Sequence, residues 1–169
     1  PGAAAPKKKT APKAPARPAL NRGLALAGKV LDGELVLRVE AHRVEDILNA
    51  LELQKTYGIR LILEGASEAH LVAELLAKAK ITVVLGAPVL TEDTSSYPVR
   101  RAPDLAAQLE AAGVTVVIGS DGWAKSAILA EAAALHANAG LSLASAEAAI
   151  TTRPAELLGL EKVGELKRG

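Results

Sequence analysis

Four short apolar runs, starting near residues 35, 59, 81 and 114, alternate with longer stretches of helical spacing, and this alternation limits the fold more than any other feature. Leu35–Val39, Ile59–Leu63, Ile81–Leu85 and Val114–Ile118 are dominated by Leu, Ile and Val and contain no acidic residue. Such runs fit strands buried beneath helices in a parallel sheet. Between them, Val44–Tyr57, Ser67–Ala79 and a stretch from Pro103 to Ala112–Gly113 place apolar residues at helical intervals, with Gly58 closing the first. A helix over Leu20–Leu31 precedes the first strand and stops at Asp32–Gly33, its Leu20, Leu24, Leu26, Ala27, Val30 and Leu31 near one face. Others follow at Ala124–Ala139, Ser142–Ile150 and Pro154–Leu158. Strand–helix alternation with short connections predicts parallel strands joined by right-handed crossovers. The fold class is therefore α/β: about four βα units plus closing helices, the C-terminal half of a (βα)8 barrel of the TIM type. A helix and linker ahead of any strand resemble the middle of a barrel, so the chain reads as truncated at both ends.

With 169 residues, half of them apolar, the chain can bury a real core. Only 2% are aromatic and there is no Phe, Met or Cys, so the core is built from Ala, Leu, Val and Ile. Lack of cysteine removes disulfides, a thiolate nucleophile and Cys-ligated metal. No apolar run approaches the roughly 18 residues of a membrane span. Net charge is +1 but unevenly placed: residues 1–19 carry Lys7, Lys8, Lys9, Lys13 and Arg17 with no acid, and the remainder is mildly acidic. That distribution argues against a nucleic-acid footprint on the folded surface. Prolines at 1, 6, 12, 15 and 18 make residues 1–19 a semi-rigid linker or insertion loop. Residues 20–160 form the half-barrel domain, and 161–169 begin a further segment.

The fourth run ends in Gly119-Ser120-Asp121-Gly122-Trp123. Asp121 thus stands at the carboxyl end of a buried strand, where parallel α/β folds gather catalytic groups; it is equally suited to cap the following helix. At the end of the first strand, His42 follows Glu40 by two residues, on the same side of an extended segment. His70 and His136 fall within helices and read as structural. Spacing supports no Ser–His–Asp arrangement, GxGxxG or phosphate-binding lysine loop. The amides of Gly119–Gly122 could cradle an anion, a weak signal on its own.

Three stretches together resemble the amidohydrolase superfamily, in particular its imidazolonepropionase-like branch. Thr151-Thr152-Arg153-Pro154-Ala155-Glu156-Leu157-Leu158-Gly159-Leu160, followed by Val163-Gly164-Glu165-Leu166, is similar to that family's closing helix and return to a small β-domain. Leu37 to Ile47, containing Glu40-Ala41-His42-Arg43, resembles its fifth barrel strand, and Ile118-Gly119-Ser120-Asp121 its eighth-strand end. The resemblance implies a barrel that holds one or two divalent metals, Zn, Mn or Mg, and hydrolyses amide or cyclic-amide C–N bonds with a metal-activated water. It makes Asp121 a metal ligand and catalytic general base and Glu40 a metal ligand, with His42, Glu64, Ser120 and Trp123 as substrate-facing or supporting residues.

The sequence departs from this pattern in ways that matter. Glu40 and Gly65 stand where the family carries histidine ligands, and Gly65 has no side chain to give a metal. Glu64 is adjacent, and strand alternation is expected to turn it to the opposite face. Oxygen ligands alone suit Mg, Mn or Ca better than Zn. The family's first-strand His-x-His pair and fourth-strand lysine are not in this sequence. The expectation is therefore a fragment of a C–N hydrolase that is inactive alone; the alternative is a catalytically degenerate relative serving as a structural or assembly component. Open sheet edges call for the N-terminal half of the barrel or another chain as partner. The cytoplasm is the default compartment, and neither export nor the cell envelope is selected against by any feature.

Overall fold

In the computed structural model, residues 21–87, 102–120 and 127–166 are described. They form the expected alternation: α1 (Arg22–Leu31), β1 (Leu37–Ala41), α2 (Val44–Tyr57), β2 (Leu61–Gly65), a 3-10 turn (Ala69–Val72) leading into α3 (Ala73–Lys78), β3 (Thr82–Leu85), α4 (Leu105–Ala111), β4 (Thr115–Ile118), α5 (Ala127–Asn138), α6 (Leu143–Ile150) and α7 (Thr152–Leu157). The Pro/Lys-rich front, the Thr/Ser-rich loop, Asp121 and Trp123 lie outside the described residues.

The four strands make one parallel sheet in the order β1-β2-β3-β4. Sequential order means that each crossover advances in the same direction. A doubly wound sheet would instead reverse at a switch point and place helices on both faces. Here the core lies on one face. Leu61, Leu63, Val83, Leu85, Val114, Val116 and Ile118 pack with Ile47, Leu76, Leu105, Leu109 and a layer of helical alanines. Ile62 and Val117 are also buried but stand outside that cluster, as their alternate positions require. The second face carries Arg38, Glu40, Ile62, Glu64, Thr82, Val84, Thr115 and Val117, and in a closed barrel it is the interior. The described residues are thus half of a (βα)8 architecture, helices outside and parallel strands within.

Local chemistry fixes the helix ends that aim the strands. Gly58 closes α2 in the left-handed conformation (φ 64°), returning its N–H to Gln54 O. The first turn of α2 takes an unusual partner: Val44 N–H donates to Glu68 Oε2 at 2.8 Å, a carboxylate brought from the β2–α3 loop to the positive end of the helix. Ser142 caps α6 by accepting from Ser145 N at 3.1 Å.

The two sheet edges differ in their contacts. Gly119 N–H donates to Leu85 O, so Val117 and Gly119 face β3 and the Val116 carbonyl points off the outer edge. There Arg153 Nη1 donates to it at 3.1 Å, while Nη2 reaches Glu110 Oε1. Arg153 therefore ties the α6–α7 corner to both β4 and α4. On the β1 side, Leu37 N donates to Arg60 O and Ala41 O accepts from Ala66 N, so the backbone groups of Arg38 and Glu40 point off the edge.

Two expectations need correction. The helix over Leu20–Leu31 shortens to Arg22–Leu31 with Asn21 as cap, and none of its residues is buried; Leu24, Leu26 and Leu31 are all exposed. Its spacing is amphipathic, but no other described element covers its apolar face. The first two strands also begin two residues later than their apolar runs, which places Glu40 and Glu64 inside the ladder instead of beyond it.

Candidate functional site

The β1–β2 register pairs Glu40 with Glu64 directly and Ala41 with Gly65. Side chains of paired residues project from the same face, and Ala41 lies in the helix-side core. Glu40 and Glu64 therefore stand side by side on the interior face. This reverses the expectation that alternation would turn Glu64 away. It was tied to Gly65 as the interior position, whereas the hydrogen-bonded register makes Glu64 the interior residue.

Four neighbours complete this corner. Arg38, two residues before Glu40 on the same face, reaches diagonally to Glu64: Nε donates to Oε1 at 2.7 Å and Nη2 contacts the same oxygen. His42, just past β1, sets Nε2 3.4 Å from Glu40 Oε1 and Nδ1 2.9 Å from Ser67 Oγ. Ser67 is only 2% exposed, so its hydroxyl is a fixed anchor for the ring. Gly65 supplies the space. A Cβ added there would overlap His42 Cε1 and lie 2.9 Å from Nε2, and the backbone at φ 78° is one that L-residues rarely adopt. The imidazole fills the volume that a side chain at position 65 would need.

The structure thus gathers Glu40, His42 and Glu64 at the carboxyl ends of two adjacent strands. Two partners, Arg38 and Ser67, were not singled out in the sequence. Arg38 was legible as a residue two before Glu40; Ser67 only as the first hydroxyl after strand two. Ser120 is half-buried beyond β4, three strand spacings from β1, roughly 14 Å along the sheet. It does not join the cluster. His70 sits in the 3-10 turn. His136 is 1% exposed, and its Nε2 donates to Gly86 O at 2.9 Å, fastening α5 to the end of β3.

A divalent metal is the group that the resemblance implies, and the donor set tests it. Among the described residues no three His, Asp or Glu side chains come together as a ligand set. Glu64, the better-placed carboxylate, already accepts from a guanidinium. These residues do not fit a metal on their own.

Comparison with known proteins places the geometry in context. The amidohydrolase family model matches residues 28–169. None of the curated proteins compared with the chain matches it. The solved structure of an amidohydrolase from Thermotoga maritima is similar with a TM-score of 0.80 and 27% identity, over 90% of this chain and 40% of that one. A second amidohydrolase structure is similar with a TM-score of 0.56 and 21% identity, over 83% of this chain and 37% of the other, a likeness of fold alone. The chain therefore spans about two fifths of the solved proteins it resembles.

Proposed function

The chain belongs to the amidohydrolase family, and we propose that it is the carboxyl-terminal part of a barrel hydrolase acting on amide or cyclic-amide C–N bonds. The observation that carries this reading is the grouping of Glu40, His42 and Glu64 at the carboxyl ends of adjacent parallel strands, the end at which such barrels work. In the same proposal residues 20–160 are the barrel half, 1–19 a connector, and 161–169 the start of a small β-domain.

The chemistry expected of the corner is proton handling and substrate orientation. His42 presents Nε2 beside Glu40, and its other nitrogen is held by Ser67. An imidazole so oriented can exchange a proton with a leaving nitrogen or a water. Asp121, which follows β4 in the sequence, is given the general-base role in this proposal, with Ser120 and Trp123 as substrate-facing or supporting residues. The family generally uses a divalent metal, but the described residues do not form its ligand set, and no step is routed through one. The N-terminal half of the barrel is the partner this reading requires.

A second reading follows from two specific features. The occupied space at Gly65 and the engaged Glu64 fit a relative that keeps the fold as a structural or assembly component without turnover. One assay separates the two. The complete protein, offered a panel of linear and cyclic amides, is expected to hydrolyse at least one and to lose about 100-fold or more in rate on Asp121→Asn. No turnover across the panel would reject the hydrolase, and full activity in that variant would reject Asp121 as its general base. The present chain alone is expected to be inactive.

A further inference from the structure

Two paired carboxylates and an imidazole at the mouth of a barrel invite a cation. The structure already provides one. Arg38 projects from the same face as Glu40 and Glu64, and its guanidinium crosses the β1–β2 ladder to Glu64 Oε1. We propose that Arg38 is the resident cation of this corner and that, with His42 seated over Gly65, it takes the place of a divalent metal between β1 and β2.

Charge, donors and volume support this independently. A guanidinium keeps its charge at every relevant pH, so Glu64 has a permanent counter-ion. A dication bound by Glu64 would have to displace that donor or stand beside a like charge. One of the two carboxylate oxygens is itself engaged: Nε and Nη2 converge on Oε1. The room is taken as well, because the His42 ring fills the space at position 65. His42 is held there by the buried Ser67 hydroxyl on one side and faces Glu40 on the other. The four charged or titratable groups of the corner thus form two internal pairs, Arg38–Glu64 and His42–Glu40. An ion bridging Glu40 and Glu64 would have to break both, and an ion held by Glu64 the first.

The inference rests on the family reading only for where the site lies, and it holds whether or not the complete protein turns over an amide. Its test therefore reads metal contact and not activity. The full chain is titrated with Mn²⁺ while paramagnetic broadening of the Glu40, His42 and Glu64 amides is followed by NMR. In the unaltered chain these three signals are expected to broaden no faster than those of surface carboxylates such as Glu52. Arg38→Met frees Glu64 and is expected to broaden the three signals selectively, at Mn²⁺ concentrations at least about tenfold lower. Arg38→Gln, which keeps a polar side chain, gives the same contrast should the Met variant fold poorly. Selective, saturable broadening in the unaltered chain that Glu64→Gln abolishes would overturn the proposal. So would the absence of any gain in both folded Arg38 variants.

Discussion

The two faces of the sheet differ in chemistry: one is wholly apolar at its centre, and the other mixes Ile62, Val84 and Val117 with polar side chains. On the helix side, Leu63, Val83, Leu85 and Val116 have no solvent exposure and meet complementary helical alanines and leucines. On the other side the same strands carry Arg38, Glu40, Glu64, Thr82 and Thr115. One face is a completed core; the second carries the charged side chains of β1 and β2. Strand alternation lets a single segment serve both faces, so a residue's parity along β1 or β2 decides whether it enters the core or the opposite face.

The largest expected effect breaks the completed face. Leu63→Ala should cost about 2–5 kcal/mol in urea unfolding, because its neighbours cannot collapse into the gap. Ile62→Ala, one residue away and on the interior side, should cost less than Leu63→Ala, since Ile62 is buried but stands outside the core cluster. Equal losses would mean that the interior face is as tightly packed as the core.

Gly65→Ala probes the boundary between the faces. The new Cβ meets the His42 ring and forces a side chain into a left-handed backbone, for an expected loss of about 1–3 kcal/mol. Combining it with His42→Ala should restore the steric share and leave the backbone share, seen as partial recovery of the unfolding midpoint. No coupling between the two substitutions would show that the ring does not occupy that space.

The third prediction concerns the β4 edge. Arg153→Ala removes both the donor to Val116 O and the partner of Glu110, at about 1–3 kcal/mol. It should also speed hydrogen exchange in α7 more than in α2, which lies at the far side of the sheet. Uniform acceleration would contradict a local tie.

Much of this was legible in the sequence, and the failures have physical causes. The bounds of α2, Val44–Tyr57, coincide with those expected because Gly58 is a strong stop and apolar spacing is regular throughout. The β1 and β2 runs were placed two residues early because Leu35, Val36, Ile59 and Arg60 precede the hydrogen-bonded ladder, and only interstrand pairing tells where it begins. The helix expected over Ser67–Ala79 opens as a 3-10 turn; the residue before that turn, Glu68, is committed to capping α2. The face of Glu64 was misassigned for the same reason as the strand starts, since register is a property of two strands and not of one motif. Arg38 was overlooked because its partner lies 26 residues away, across a ladder that spacing alone cannot set.

The central claim is that the polar face and the β1 edge are sites for further protein. Sedimentation velocity of the purified full chain over a range of concentrations tests it most directly. The account predicts self-association that grows with concentration and is suppressed when the remainder of the barrel is supplied as a separate chain. A stable, monodisperse monomer at every concentration, indifferent to that second chain, would contradict it.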